Sequence, residues 1–212
     1  MNLAELRTEF MRAGLNEADV ASDPVVQCQK WLEEAVAAEF IQPNAMTLAT
    51  ANRQTGQPSA RIVLLKDLSE EGFIFYTNAH SHKGEDMRSN AKVSLLFYWD
   101  ELERQIRVEG EVSIIDAARA DRYFASRPRE SNLGAWASQQ SQVIAGRHIL
   151  EQRCQELAHQ FNKQTVPRPP HWQGYCVHPH KIEFWQGRAN RLHDRLCFVR
   201  QNDDWQLIRL AP

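Results

Sequence analysis

"RQIRVEGEVSII", residues 104–115, has the alternation that a β-strand on a one-sided core requires. Ile106, Val108, Val112 and Ile114 share one parity with Gly110, while Gln105, Arg107, Glu109, Glu111 and Ser113 take the other. Successive strand side chains point to opposite faces. This segment therefore lays one face on a core and turns the other to solvent, a ligand or a partner.

Outward from it, short apolar runs alternate with turn signals. "AMTLATA" leads to the turn "RQTGQP", followed by "ARIVLL", "GFIFYTN" and "KVSLLFYW"; towards the end, "GYCVHP", "KIEFWQG", "RLCFVRQ" and "DWQLIRLAP" read as closing strands. Strands this close in sequence predict an antiparallel, barrel-like sheet. Helical texture flanks it. "LAELRTEFMRAGL" is short and amphipathic, and "DPVVQCQKWLEEAVAAEF" has Asp23 as N-cap and Pro24 at its first position. In the latter Trp31, Leu32, Ala35, Val36 and Phe40 follow the helical period. "DAARADRYFASRP" and "SQVIAGRHILEQRCQELAHQF" are further helices, the second with the stripe Ile149, Leu150, Cys154, Leu157, Ala158 and Phe161, and "VPRPP" is a stiff connector. The expected fold class is α+β: an antiparallel β-barrel with helices packed outside. Residues 1–44 form an N-terminal helical segment and residues 45–212 the barrel domain.

Composition narrows the function. A hydrophobic fraction of 42% over 212 residues supports a real core, and a net charge of −2 argues against general nucleic-acid binding. No apolar run approaches the ~20 residues of a membrane span, and the N-terminus lacks an apolar signal core. Cys28, Cys154, Cys176 and Cys197 are scattered without a CxxC pair, which points to reduced thiols in a cytoplasmic protein.

Cations and hydroxyls gather at the element ends. In "SARIVLLKD", Arg61 and Lys66 are five apart, on opposite faces of a strand; they either mark its solvated ends or serve different ligand groups. "NAHSHKGEDMRSN" starts a helix at Ser81 yet puts Lys83 in the first turn, against the helix dipole. A phosphate at that N-terminus removes the conflict; a solvated lysine is the plain alternative. In "DRYFASRPRES", Tyr123 and Arg127 lie four apart on one helical face, Pro128 ends the helix, and Ser131 can cap the next. Together they suit a phosphate monoester, or they are a cap and a surface charge. His80 with His82, and His178 with His180, have no third ligand at suitable spacing, so no metal is expected. GxSxG, P-loop and GxGxxG patterns are absent. "FWQGRANRLHDRL", residues 184–196, sets Arg188, Arg191 and Arg195 around His193 with only Asp194 near in sequence, so an anion is expected there.

In order along the chain, "RIVLLK", "FYTN", "SLLFYW", "LERQIRVEGE", "YFASRPRESNLGAWASQQS", "IEFWQG", "RLHDR" and "RLAP" resemble the pyridoxine (pyridoxamine) 5'-phosphate oxidase family. The resemblance covers nearly the whole chain. It implies an FMN-binding split barrel, homodimeric, with FMN at the subunit interface. It also implies oxidation of pyridoxine 5'-phosphate or pyridoxamine 5'-phosphate to pyridoxal 5'-phosphate by O2, with release of H2O2, and of ammonia from the amine. Carried over by motif, Arg61, Ile62, Val63, Leu64, Leu65, Lys66, Tyr76, Thr77, Lys83, Gln105, Gln140, Ser141, Trp185 and Arg195 would contact FMN. Arg7, Lys66, Tyr123, Arg127, Ser131, Arg191, Leu192 and His193 would contact substrate, with Arg191 and His193 beside the reacting carbon. Arg188 receives no role. Two positions depart from the family pattern: His82 stands where an arginine is frequent, and Phe10 where a tyrosine is usual.

A binding module that holds FMN or pyridoxal phosphate without turnover would not need "RLHDR" beside a second phosphate grip. A nicotinamide-dependent flavin reductase would need a dinucleotide segment, and none is found.

Overall fold

The computed structural model describes residues 14–212. Among them the chain forms helix α1 (Pro24–Ala37), strands β1 (Ala45–Ala51), β2 (Pro58–Leu64), β3 (Asp67–Ser69) and β4 (Gly72–Asn78), helix α2 (His82–Ser89), and strands β5 (Lys92–Trp99) and β6 (Arg104–Ile114). Helices α3 (Ala117–Ala125), α4 (Arg129–Ala137) and α5 (Arg147–Phe161) follow, then β7 (Trp172–Gln186), β8 (Asp194–Gln201) and β9 (Asp204–Arg209). Arg7 and Phe10, with nearly all of the helix expected around them, lie outside the described residues.

Every strand pairing is antiparallel. The order is β2-β1-β5-β6-β7-β4-β3, with β8 added to β7 and β9 to β8. The sheet curls around one core with the helices outside it. β6 is central, as its alternation demands: Ile106 and Val108 are fully buried while Arg107 and Glu111 are exposed. Ile114 departs from that parity and is 62% exposed, because the strand outruns the core at its C-terminal end.

The two closing strands expected at "GYCVHP" and "KIEFWQG" are one 15-residue strand, β7. Pro179 does not break it. The register with β6 shifts between Glu109 and Gly110, leaving His180 as the extra residue of a bulge, and a bulge tolerates a residue without an N–H. The bulge lets β7 serve two neighbours on its other edge: its first half pairs β4 and its second half β8.

Asp23 caps α1, accepting from the Val25 amide at 2.6 Å with Pro24 following, and Trp31 and Ala35 turn inward. Val36, placed on the apolar stripe by period, is 60% exposed and Phe40 lies beyond the helix. The main core stacks Trp31, Phe73, Phe97, Trp99, Phe184 and Phe198, with Trp31 edge-on to Phe184 at 5.2 Å. A second, smaller core sits between α3, α4, α5 and the start of β7, built on Phe124, Leu133, Leu157, Val166 and Trp172. Helix α5 begins at Arg147, not at Ser141, and of its expected stripe only Leu157 is fully buried; Ile149 remains 41% exposed among the described residues.

The α3–α4 junction also differs from expectation. Helix α3 ends at Ala125, so Arg127 lies past its last turn rather than on one helical face with Tyr123. Pro128 occupies the N-cap position of α4, and Ser131 sits inside the first turn. Proline fits a helix start because the N–H it lacks would have had no partner there.

Candidate functional site

Between the two cores, β2, β4, α2 and the α3–α4 junction enclose a cavity of about 430 Å³. Ile62, Val63, Leu64, Lys66, Tyr76, Thr77, Lys83, Tyr123, Arg127, Ser131 and Gln140 line it, together with Pro128 and Trp172. Eleven residues carried over by motif thus meet in one place. Trp172 carried no signal of its own, since an aromatic after "VPRPPH" reads equally well as core.

At one end stands helix α2. Ser81 caps it, its Oγ accepting from Gly84 N at 3.4 Å, and Lys83 curls back over the cap. Lys83 Nζ donates to Gln140 Oε1 at 2.8 Å and to Ser81 Oγ at 3.2 Å. Among the described residues no carboxylate pairs with it. Burial, and then the neighbouring Arg61 guanidinium, lower its pKa to about 8. Arg61 folds back on its own sheet, donating to Thr50 Oγ1 at 2.8 Å and Ser59 Oγ at 2.7 Å. Thr50 in turn donates to the buried Asp86 at 2.7 Å. His82 lends its backbone N–H to Ser141 Oγ at 3.2 Å, while its ring lies 3.9 Å from Asp86.

The other end is aromatic and cationic. Tyr76, Tyr123 and Trp172 stack against one another, with Tyr76 4.2 Å from Tyr123 and 5.0 Å from Trp172, and Tyr123 6.1 Å from Trp172. The Arg127 guanidinium lies over Trp172 at 4.9 Å and Phe124 at 5.2 Å in cation–π contact, and burial lowers its pKa. Its Nη2 donates to Ser131 O at 3.2 Å, and its buried Nη1 has no hydrogen-bond partner among the described residues. Lys66 Nζ stands 5.9 Å from the Tyr123 ring. Among the described residues Lys66, Lys83 and Arg127 all lack a carboxylate partner. Three such cations in one cavity, one with an orphaned buried donor, fit phosphorylated ligands.

The remaining predicted residues lie elsewhere. Tyr98, Gln105, Trp185 and Arg195 face one another in register across β5, β6, β7 and β8. Gln105 shares a shallow groove with Thr47, Leu96, Tyr98 and Ile62, and Ile62 also lines the cavity. The Leu65 side chain is in the core. Asn190 and Arg191 both adopt left-handed backbone, φ 56° and 61°, which is costly for non-glycine residues and concentrates at functional sites. Leu192 is 67% exposed. The His193 ring packs 4.6 Å from Trp185, and its Nδ1 accepts from Arg188 N at 3.1 Å. Burial and then Arg191 lower its pKa, and because Nδ1 accepts, the neutral ring carries its proton on Nε2.

The arginine cluster is offset from further away than expected. Arg195 meets the buried Glu183, and Arg188, which had no assigned role, pairs with Asp194 at 3.4 Å. Asp194 also holds Arg209 at 2.8 Å. Only Arg191 of the three has no carboxylate partner among the described residues.

A family model described as "Pyridoxamine 5'-phosphate oxidase" matches residues 32–161, and one described as "Pyridoxine 5'-phosphate oxidase C-terminal dimerisation region" matches residues 172–212. A relative from Cyanothece sp., named pyridoxine/pyridoxamine 5'-phosphate oxidase, is 52% identical over 212 residues, covering 100% of this chain and 99% of its own. Among solved structures, PhzG from Burkholderia lata, in complex with tetrahydrophenazine-1-carboxylic acid, superposes with a TM-score of 0.89 at 30% identity, covering 97% of this chain and 100% of that one. A pyridoxamine 5'-phosphate oxidase-related, FMN binding protein from Nostoc punctiforme shares the fold, with a TM-score of 0.71 at 13% identity over 91% of this chain and 100% of that one. With both family models matched and half of its residues identical to a full-length relative, the chain belongs to the pyridoxine/pyridoxamine 5'-phosphate oxidase family.

Proposed function

We propose that the protein is an FMN-dependent oxidase of pyridoxamine 5'-phosphate and pyridoxine 5'-phosphate, producing pyridoxal 5'-phosphate and H2O2, with ammonia from the amine. The observation that carries this reading is the cavity whose three cations have no carboxylate partners among the described residues, in a chain of this family. Lys83, Arg61, Gln140 and Ser141 would hold the cofactor phosphate, and Lys66, Tyr123, Arg127 and Ser131 the substrate phosphate. FMN, when bound, supplies the two-electron acceptor that O2 then reoxidises.

The chain's own residues position and balance charge. Arg127, packed on Trp172 and lining the cavity without a carboxylate partner among the described residues, would attract an anion with its guanidinium. His193 offers a hydrogen bond from Nε2 to substrate. Arg191 would hold the substrate ring and offset charge that develops as C4' is oxidised.

Among the described residues, the cavity with the phosphate grips does not contain Gln105, Trp185 or Arg195, and the groove beside Gln105 does not contain the grips. A homodimer that sets this row of one subunit against the cavity of its partner would complete the site, and the match of residues 172–212 to a dimerisation region supports it. The test is to purify the protein, record its visible spectrum, and assay aerobic formation of pyridoxal 5'-phosphate. A colourless protein that takes up no FMN refutes the reading.

A further inference from the structure

Asn132 stands outside the cavity, in the first half of α4 and 5% exposed. Its Nδ2 donates to Phe124 O at 3.1 Å, and more weakly to Arg127 O at 3.5 Å. Phe124 O also accepts from Arg127 N at 3.2 Å, and Asn132 N donates to Pro128 O at 3.1 Å. One amide of α4 thus ties down the last turn of α3 and both sides of the bend between them. The bend displays Tyr123 before it, Arg127 on it and Ser131 after it, all three to the same cavity.

The amide is retained at a cost. Its Oδ1 is buried and has no hydrogen-bond partner among the described residues. A leucine has the same branched heavy-atom skeleton, though it is bulkier, and would leave no orphaned acceptor, so burial alone does not call for asparagine here. What a leucine cannot supply is the donor that closes the bend.

We infer that Asn132 is a positioning residue: it acts through the α3–α4 bend to aim Arg127 at the substrate phosphate. The inference rests on the reading of Arg127 as part of the phosphate grip. Loosening the bend should weaken substrate capture and leave the cofactor, bound at the α2 end, in place.

The experiment measures steady-state kinetics with pyridoxamine 5'-phosphate, flavin content and melting temperature for Asn132→Leu, Arg127→Ala and the double variant. In Asn132→Leu, KM should rise about tenfold with kcat within about twofold and flavin content unchanged. The double variant should be no worse than Arg127→Ala, because two changes that act through one guanidinium do not add. Asn132→Ala removes the same donor without filling the space, and gives a second arm should the leucine variant fail to fold. An unchanged KM in either Asn132 variant, with flavin bound, overturns the inference. So does a double variant in which the two effects add. If Arg127→Ala itself leaves KM unchanged, it is the phosphate-grip reading that fails.

Discussion

Arg195 and Glu183 meet across β8 and β7 through two hydrogen bonds, Nε to Oε1 at 2.8 Å and Nη2 to Oε2 at 3.0 Å. Glu183 is nearly fully buried, and Arg107 approaches it at 3.4 Å from the opposite strand. Ala211 O accepts from Arg195 Nη1 at 2.8 Å, so the guanidinium is held on three nitrogens. It is oriented before any ligand arrives.

Arg195→Met should therefore do two things. It weakens flavin retention, and it leaves Glu183 buried with Arg107 alone, a loss of about 1–3 kcal/mol given the remaining partner and partial exposure. Adding Glu183→Gln should recover the melting temperature without recovering the flavin. Thermal melts and flavin-per-chain ratios separate the two effects; recovery of both together would count against a cofactor contact.

Arg191, by contrast, has no such anchor among the described residues. Arg191→Met should leave flavin content and dimer intact and slow flavin reduction by pyridoxine 5'-phosphate about ten- to a hundredfold, the worth of one hydrogen bond to a charged group. Arg191→Lys should be a poor substitute, since it keeps the charge without the planar fork. Anaerobic stopped-flow in FMN-saturated protein is the measurement, and an unchanged rate removes Arg191 from the reacting end of the site.

Lys83 predicts a pH dependence. Without ligand its pKa is depressed to about 8, below the unfolded lysine, so the native state holds fewer protons between that pH and 10.5. The ligand-free fold accordingly gains stability as pH rises through that window. A bound phosphate reverses the preference and favours the ammonium. Binding then takes up a proton above about pH 8, and FMN affinity should fall as pH rises from there, by up to about tenfold per unit. Lys83→Met should flatten this profile and weaken FMN about ten- to a hundredfold. Fluorescence titration of FMN between pH 7 and 10 checks both, and a flat wild-type profile contradicts the assignment.

Gly84→Ala pits helix propensity against space. Alanine favours a helix by about 1 kcal/mol over glycine. A Cβ at Gly84, however, would overlap the Ala79 backbone carbonyl, which cannot yield without moving the start of α2. The substitution should lower both melting temperature and FMN affinity. A rise in melting temperature would show that the turn before α2 is free to adjust.

Tyr98 tests the dimer. It is 55% exposed on the groove beside Gln105 and Ile62, outside both phosphate grips. Tyr98→Asp should shift sedimentation towards monomer and lose flavin in parallel. A monomer that retains flavin would place the cofactor within one chain.

The local devices of the fold were legible in the sequence because they depend on neighbours. The alternation of β6, the Asp23–Pro24 start of α1 and the Ser81 cap of α2 each follow from side chains within a few positions. The family, too, was readable, since its motifs occur in order along the chain. Pro179 misled, because whether a proline ends a strand depends on the register of a partner that no local pattern records. Ser131 misled for a similar reason: the turn at Pro128 decided where α4 begins. Only the tertiary structure decided how charge is shared out. Glu183 answers Arg195 from 12 positions away, Asp194 answers Arg209 from 15, and Gln140 reaches Lys83 from 57. Coulomb and hydrogen-bond partners are chosen by distance in space, and the curl of the sheet sets that distance.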